Sequence, residues 1–338
     1  MTVDPARRLA DALGMQEVGN GETLISNEAL TRNGVSPQGQ LSAAMLDAKA
    51  SWDDLVTRHA PDPATRERMV SNPLYRNITE RFVQSHDYIA MERLHELHES
   101  GKYDLIVIDT PPANHAIDFL EAPARMADFF DSRLLKFLVA PSRSRIMSLT
   151  ARPFLQIADR LLGQRFLADI TEFFTSLETL RPGFITRAQE VGQLLKAEGT
   201  SFVVVSTLEP APRNEAASFM NELKRRNLRL GAVVLNRTLP PSLLEDSTAV
   251  AGASIAANAD HLAATLGLPD TEPAATARVL GQTVKAFDNF KALAGSEQAQ
   301  RNALVEGLDT VVSVPWFDEE LHNLAGLQRV GDQLWETS

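Results

Sequence analysis

The chain has 338 residues, 44% hydrophobic and 23% charged, which is enough apolar material for a large globular core. Its formal net charge of −11 argues against nucleic acid or an anionic membrane as the main partner, because binding either one needs clustered Lys and Arg. Zero cysteines exclude disulfides, thiolate zinc sites and a thiol nucleophile together.

Met1 to Pro5 carry no basic segment leading into an apolar one, and no stretch of the sequence is long and apolar enough to span a bilayer. A cytoplasmic location is therefore expected. Residues 37–101 are helical in composition, with turns predicted at Pro61-Asp62-Pro63 and Asn72-Pro73. The first of four short apolar runs follows at Tyr103–Asp109, and the others are Ser201–Ser206, Arg229–Asn236 and Thr310–Pro315. Rich in β-branched side chains and without alternation, they predict parallel strands buried on both faces. Between the first and second runs, residues 122–197 place Met126, Phe129, Phe130, Phe137, Phe154, Phe166, Phe173 and Phe174 at helical spacing, predicting a helical layer attached to the sheet. Helices are predicted again over Arg187–Ala197 and Asn214–Arg226, and Lys224-Arg225-Arg226 reads as the polar end of the latter. Ser247–Leu293 is polar and Ala-rich, as in surface helices, with a loop near Pro269-Asp270. The order of elements predicts a doubly wound α/β fold with a mostly parallel sheet: one domain over residues 1–338, with helical elaborations at about 37–101 and 122–197.

In open parallel sheets ligands collect beyond the carboxyl ends of the strands, so the residues after each run are read first. Asp109 ends the first run, where a carboxylate suits a hydrated Mg²⁺ beside phosphates. Asn236 and Arg237 end the third run, and an Asn amide offers both a donor and an acceptor to a purine edge. Pro315, Trp316 and Phe317 end the fourth run in the composition of a flat apolar slot. Beside these readings stand a strand-end turn for Asn236 and ordinary packing for the two aromatics. His95 and His98 lie three apart on a predicted helix, but with no third ligand they read as a solvated face.

In combination these endings resemble one family. Thr2-Val3-Asp4-Pro5-Ala6-Arg7-Arg8-Leu9-Ala10-Asp11 is similar to the switch I segment of the arsenite-pump and tail-anchored-protein targeting ATPases, Thr-Asp-Pro-Ala-His-x-Leu-x-Asp. Asp109-Thr110-Pro111-Pro112-Ala113-Asn114-His115 resembles their Walker B and switch II segment, Asp-Thr-Ala-Pro-Thr-Gly-His. The stretch from Pro315 through Glu320 to Leu327 resembles their adenine loop. The resemblance implies a P-loop NTPase fold with ATP and Mg²⁺ as cofactors. It implies that Asp4 orients the attacking water, that Asp109 holds Mg²⁺ indirectly, and that Thr110 to His115 sense the γ-phosphate. It further implies that Asn236, Arg237 and Pro315 to Phe317 hold adenine.

One part of the family pattern has no match: the phosphate loop Gly-Lys-Gly-Gly-Val-Gly-Lys-Thr, expected ahead of switch I together with the central first strand. At roughly 1.5–3 kcal/mol per charge-assisted bond, several missing loop contacts would abolish nucleotide binding, and two inner strands would keep unpaired edges. Met1 stands where relatives carry an apolar residue, so an initiation codon placed too late is one explanation. A genuine short form, acting as an inactive interaction subunit, is the other. Asp4, Asp109 and Asn236 make little sense in an inactive subunit and favour the first explanation.

The substrate narrows by exclusion. Without cysteine the chain cannot hold arsenite through thiolates, nor zinc through the targeting branch's paired cysteines. Family likeness implies a homodimer or paralogous heterodimer and a hydrophobic or membrane-protein client, with the Phe- and Met-bearing helices between Ala122 and Leu180 as its groove. Packing of those side chains onto the sheet and onto each other is the competing reading.

Overall fold

The computed structural model describes residues 1–3, 8–15, 21–81, 83–110, 113–132, 164–266, 272–319, 321 and 323–336. The chain divides into two compact units, one of residues 1–201, 227–229 and 322–324 and the other of residues 202–226, 230–321 and 325–338.

The first unit is mostly helical. After α1 (Arg8–Ala12), the antiparallel pair β1 (Thr23–Ile25) and β2 (Leu41–Ala43) flanks α2 (Asn27–Arg32), whose Ser26 cap accepts the Ala29 N–H at 3.2 Å. Four helices follow: α3 (Ala48–His59), α4 (Pro63–Ser71), α5 (Pro73–Arg81) and α6 (Val83–Glu99). The chain breaks where the prolines predicted it would. Asp62 caps α4, accepting the Thr65 N–H at 2.8 Å, and the Asn72 side chain accepts the Leu74 N–H at 2.9 Å at the start of α5. α7 (Ala113–Asp131) and α8 (Gln164–Leu194) complete the layer; Phe137, Phe154 and the loop near Pro269 lie outside the described residues.

Phe184 centres this layer, with ring centroids 5.5 Å from Tyr88, 6.0 Å from Trp52 and 5.1 Å from Phe130. Met126, Phe129, Phe173, Phe174 and Leu177 line a cavity of about 290 Å³ beside that cluster, together with Trp52. Phe130 and Leu180 are core residues. Of the cavity-lining side chains, Phe173 and Leu177 belong to the buried cluster and Met126 and Phe174 pack against it, so the same residues pack on one another and border the cavity.

The expected strand at Tyr103–Asp109 is not formed as a strand. Its end pairs in parallel with the first three residues: the Met1 amino group donates to the Val107 carbonyl at 2.8 Å, the Asp109 N–H to Met1 at 2.9 Å, and the Val3 N–H to Asp109 at 3.0 Å. On the other side of Met1–Val3, the Thr2 N–H donates to Ala44 and the Leu46 N–H to Thr2, each at 3.0 Å. Upstream of Val107 this pairing stops, and Leu105 and Val107 stay 79% and 68% exposed. A β-branched run becomes a strand only where a neighbour answers its N–H and C=O groups.

The second unit carries the parallel sheet. β3 (Phe202–Ser206), β4 (Leu230–Thr238) and β5 (Val311–Pro315) lie in the order β3-β4-β5, with β4 in the middle. α9 (Pro210–Arg225) packs on β3 and β4. Its last turn carries Lys224 and Arg225, and Arg225 pairs with the buried Glu222 at 2.7 Å, as expected of a polar helix end. The polar stretch forms α10 (Asp246–Ala257), α11 (Ala259–Leu266) and α12 (Pro273–Val305), and α13 (Leu324–Glu336) closes the chain.

Burial on both faces, expected of every strand, fails for β3. Val204 and Ser206 are buried while Val203 and Val205, on the opposite face by the period of two, are 56% and 62% exposed. β3 lies at the edge of the sheet, and helix covers one of its faces.

Candidate functional site

Strand ends in the second unit bring several sequence-predicted residues together. β4 and β5 run in parallel register with Asn236 beside Val314 and Thr238 beside Pro315, so Arg237 is an extra residue in the ladder. Its φ of 58° lies in the left-handed region, which costs a residue with a Cβ about 1–3 kcal/mol. The bulge turns its side chain onto the next segment, where the guanidinium carbon sits 4.2 Å from the centroid of the Trp316 ring. The Trp316 N–H donates to the Thr238 carbonyl at 3.0 Å, and the Thr238 hydroxyl donates to the Val314 carbonyl at 3.3 Å. Phe317 lies beneath a second guanidinium, that of Arg329, at 5.1 Å, and Arg329 pairs with Glu319 at 3.4 Å. Sequence reading missed Thr238 and Arg329; Arg329 lies on α13, where nothing in the local pattern marks it.

Beside these strands a cavity of about 410 Å³ is lined by Thr238, Leu239, Glu297, Gln298, Arg301 and Ser313 among others. The Leu239 N–H donates to Glu297 at 3.1 Å. Asn236, Pro315, Trp316 and Phe317 do not line that cavity. They lie at the end of the sheet, where Trp316 is exposed and the other three are half-buried.

Asp109 belongs to the first unit. It sits exposed at the end of its segment, and its carboxylate accepts the Thr2 hydroxyl at 2.9 Å. Thr2 was legible only as part of the Thr2 to Asp11 motif and carried no role. Asp4, Pro111 and Pro112 lie outside the described residues; Thr110 follows Asp109 outside any helix or strand, and Ala113, Asn114 and His115 open α7. His95 stands 3.3 Å from Glu190, and no group of three or more His, Asp or Glu side chains able to hold a metal occurs among the described residues.

A family model described as "Anion-transporting ATPase" matches residues 1–255. The chain belongs to that family. The α/β architecture with its parallel sheet agrees with the P-loop NTPase fold that membership implies. Among curated relatives, "ATPase get3" of Aspergillus niger is 23% identical over 246 residues, 71% of this chain and 64% of that protein. "ATPase GET3" of Malassezia globosa is 24% identical over 242 residues, 71% of this chain and 63% of that protein. The chain thus covers less than two thirds of the length of these relatives. Among the described residues no helix is long and apolar enough to cross a membrane.

Proposed function

We propose that this member of the anion-transporting ATPase family binds and hydrolyses ATP with Mg²⁺, and that hydrolysis drives a conformational switch acting on a hydrophobic client. The observation that carries the reading is the convergence of Asn236, the Arg237–Trp316 stack and Pro315 at the ends of two neighbouring parallel strands. In open α/β sheets such ends are where ligands bind. Asn236 supplies an amide for the base edge, and Pro315, Trp316 and Phe317 supply its apolar bed.

Asp109 and Thr2 fit a hydrated divalent cation, because an exposed carboxylate already held by one hydroxyl keeps acceptor capacity for a cation's water. The cation, when bound, offsets phosphate charge. In this proposal Asp4 orients the attacking water, and Thr110 to His115 respond to the γ-phosphate. The apolar cavity beside Phe173 and Phe174 supports a hydrophobic client, and a dimer of this chain or of a paralogous pair completes the proposal.

The test is phosphate release by protein made from the full reading frame, with Asp4→Asn and Asp109→Asn alongside. Hydrolysis that both substitutions abolish, while calorimetry still detects ATP binding, supports the ATPase. A folded protein that binds a partner and takes up no ATP points instead to an inactive interaction subunit.

A further inference from the structure

The cavity of about 410 Å³ in the second unit lies between α12 and β5, where α12 packs on the turn Pro241–Leu244. Its volume falls in the range of about 300–1,000 Å³ that small-molecule sites occupy. Glu297 and Arg301, both half-buried and one helical turn apart on α12, border it. At that spacing, with the acid nearer the N-terminus, the two side chains ordinarily join as an ion pair. Here they do not. Glu297 accepts the Leu239 N–H at 3.1 Å instead, and Arg301 makes no hydrogen bond or ion pair among the described residues. Its Nε is shut off from solvent without an acceptor, so a charged donor has lost hydration with no bond in exchange. An acid group drawn onto the guanidinium fork removes that cost through two charge-assisted hydrogen bonds. A carboxylate has about four acceptor positions, so Glu297 keeps capacity for a cationic donor after accepting one N–H. Leu239, Leu244 and Val311 add an apolar wall, with Ser313 beside them.

We propose that this cavity binds a small zwitterion of the amino-acid class, its carboxylate taken by Arg301, its ammonium by Glu297 and its apolar side chain by Leu239, Leu244 and Val311. The site is separate from the nucleotide reading above, because Asn236, Pro315, Trp316 and Phe317 do not line it. Two opposite charges kept apart on one wall select a ligand that carries both, since a ligand with one charge leaves the other protein charge unanswered.

The experiment is calorimetric titration of the full chain with L-leucine, with 4-methylpentanoate, which lacks the amine, and with 3-methylbutylamine, which lacks the acid. Wild type is expected to bind leucine and to bind each single-charge analogue at least about tenfold more weakly. Arg301→Met, which keeps the apolar stem, is expected to weaken leucine binding by at least about tenfold. Arg301→Lys, which keeps the charge and loses the fork, is expected to weaken it as well and serves if the Met variant fails to fold. Glu297→Gln keeps an acceptor for the Leu239 N–H and is expected to erase the preference for leucine over 4-methylpentanoate. No leucine binding at up to about 10 mM, equal affinity for all three ligands, or leucine affinity unchanged in both Arg301 variants overturns the proposal. Competitive displacement of leucine by ADP overturns it too, by placing the probe at the strand ends; the ATPase reading stands or falls on phosphate release and is untouched by the other outcomes.

Discussion

Glu92 is 2% exposed in the helical unit, and a buried carboxylate persists only with a counter-charge and its hydrogen bonds. Arg187 Nε donates to both of its oxygens, at 3.0 and 2.8 Å, and the Tyr88 hydroxyl donates to it as well. The guanidinium also lies 5.4 Å from the Phe184 centroid, and a methyl group on Gly183 would come within 2.7 Å of its Nη1, so the pocket is fitted to arginine. Burial pushes the Glu92 carboxyl up, and Arg187 pulls it partly back. Because the folded value is raised, ionising Glu92 opposes folding: its effect on stability is absent below the ordinary carboxylate range and grows unfavourable as pH rises through the raised value. Arg187→Ala is therefore expected to lose about 3–5 kcal/mol in urea unfolding at neutral pH, a deficit that narrows on acidification as the orphaned carboxyl takes up a proton. The double substitution Glu92→Met with Arg187→Met is expected to recover most of that loss. A deficit that does not vary with pH would show that Arg187 acts through packing alone.

At the scale of elements, the caps and the edge strand make separate predictions. The Thr65 hydroxyl and N–H bind the Asp62 carboxylate and hold it below its usual range. A lowered folded value contributes stability that is present above the ordinary range and is lost as pH falls through the folded value. The stability difference between wild type and Asp62→Ala is thus expected to shrink as thermal melts are taken to acid, and a constant difference would mean that Asp62 caps α4 without its charge. On β3, whose outer edge has no strand beside it among the described residues, Val203 and Val205 present an apolar face, the combination that templates aggregation. Replacing both with Thr keeps the β-branched shape. It is expected to lower light scattering on concentration and to change the unfolding free energy by less than about 1 kcal/mol. Scattering equal to wild type would place the sticky surface elsewhere.

For the whole molecule, each of the two units has its own core: aromatic and helical around Phe184 in one, and aliphatic around Val233, Leu235 and Val314 in the other. Denaturant sensitivity scales with the surface that each unit exposes on unfolding. Fluorescence in urea is expected to give a higher midpoint when Trp52 is the reporter, in Trp316→Phe/Trp335→Phe, than in Trp52→Phe, where the second unit reports. Coincident midpoints and slopes would show one cooperative transition. Much of this architecture was legible in the sequence. Side-chain periodicity, the proline turns at Pro61-Asp62-Pro63 and Asn72-Pro73, and the β-branched runs of β3, β4 and β5 are local properties, and each element forms where those patterns sit. The order of strand-end motifs likewise identified the family that the comparison establishes. What the sequence could not carry depends on partners far along the chain. Tyr103–Asp109 has the composition of a strand, but among the described residues its pairing is confined to Met1–Val3; Val203 has the composition of a core residue, but its side chain stays exposed. The stack of Arg237 on Trp316 arises from a register slip between two strands more than seventy residues apart, and only the folded ladder brings those two side chains together.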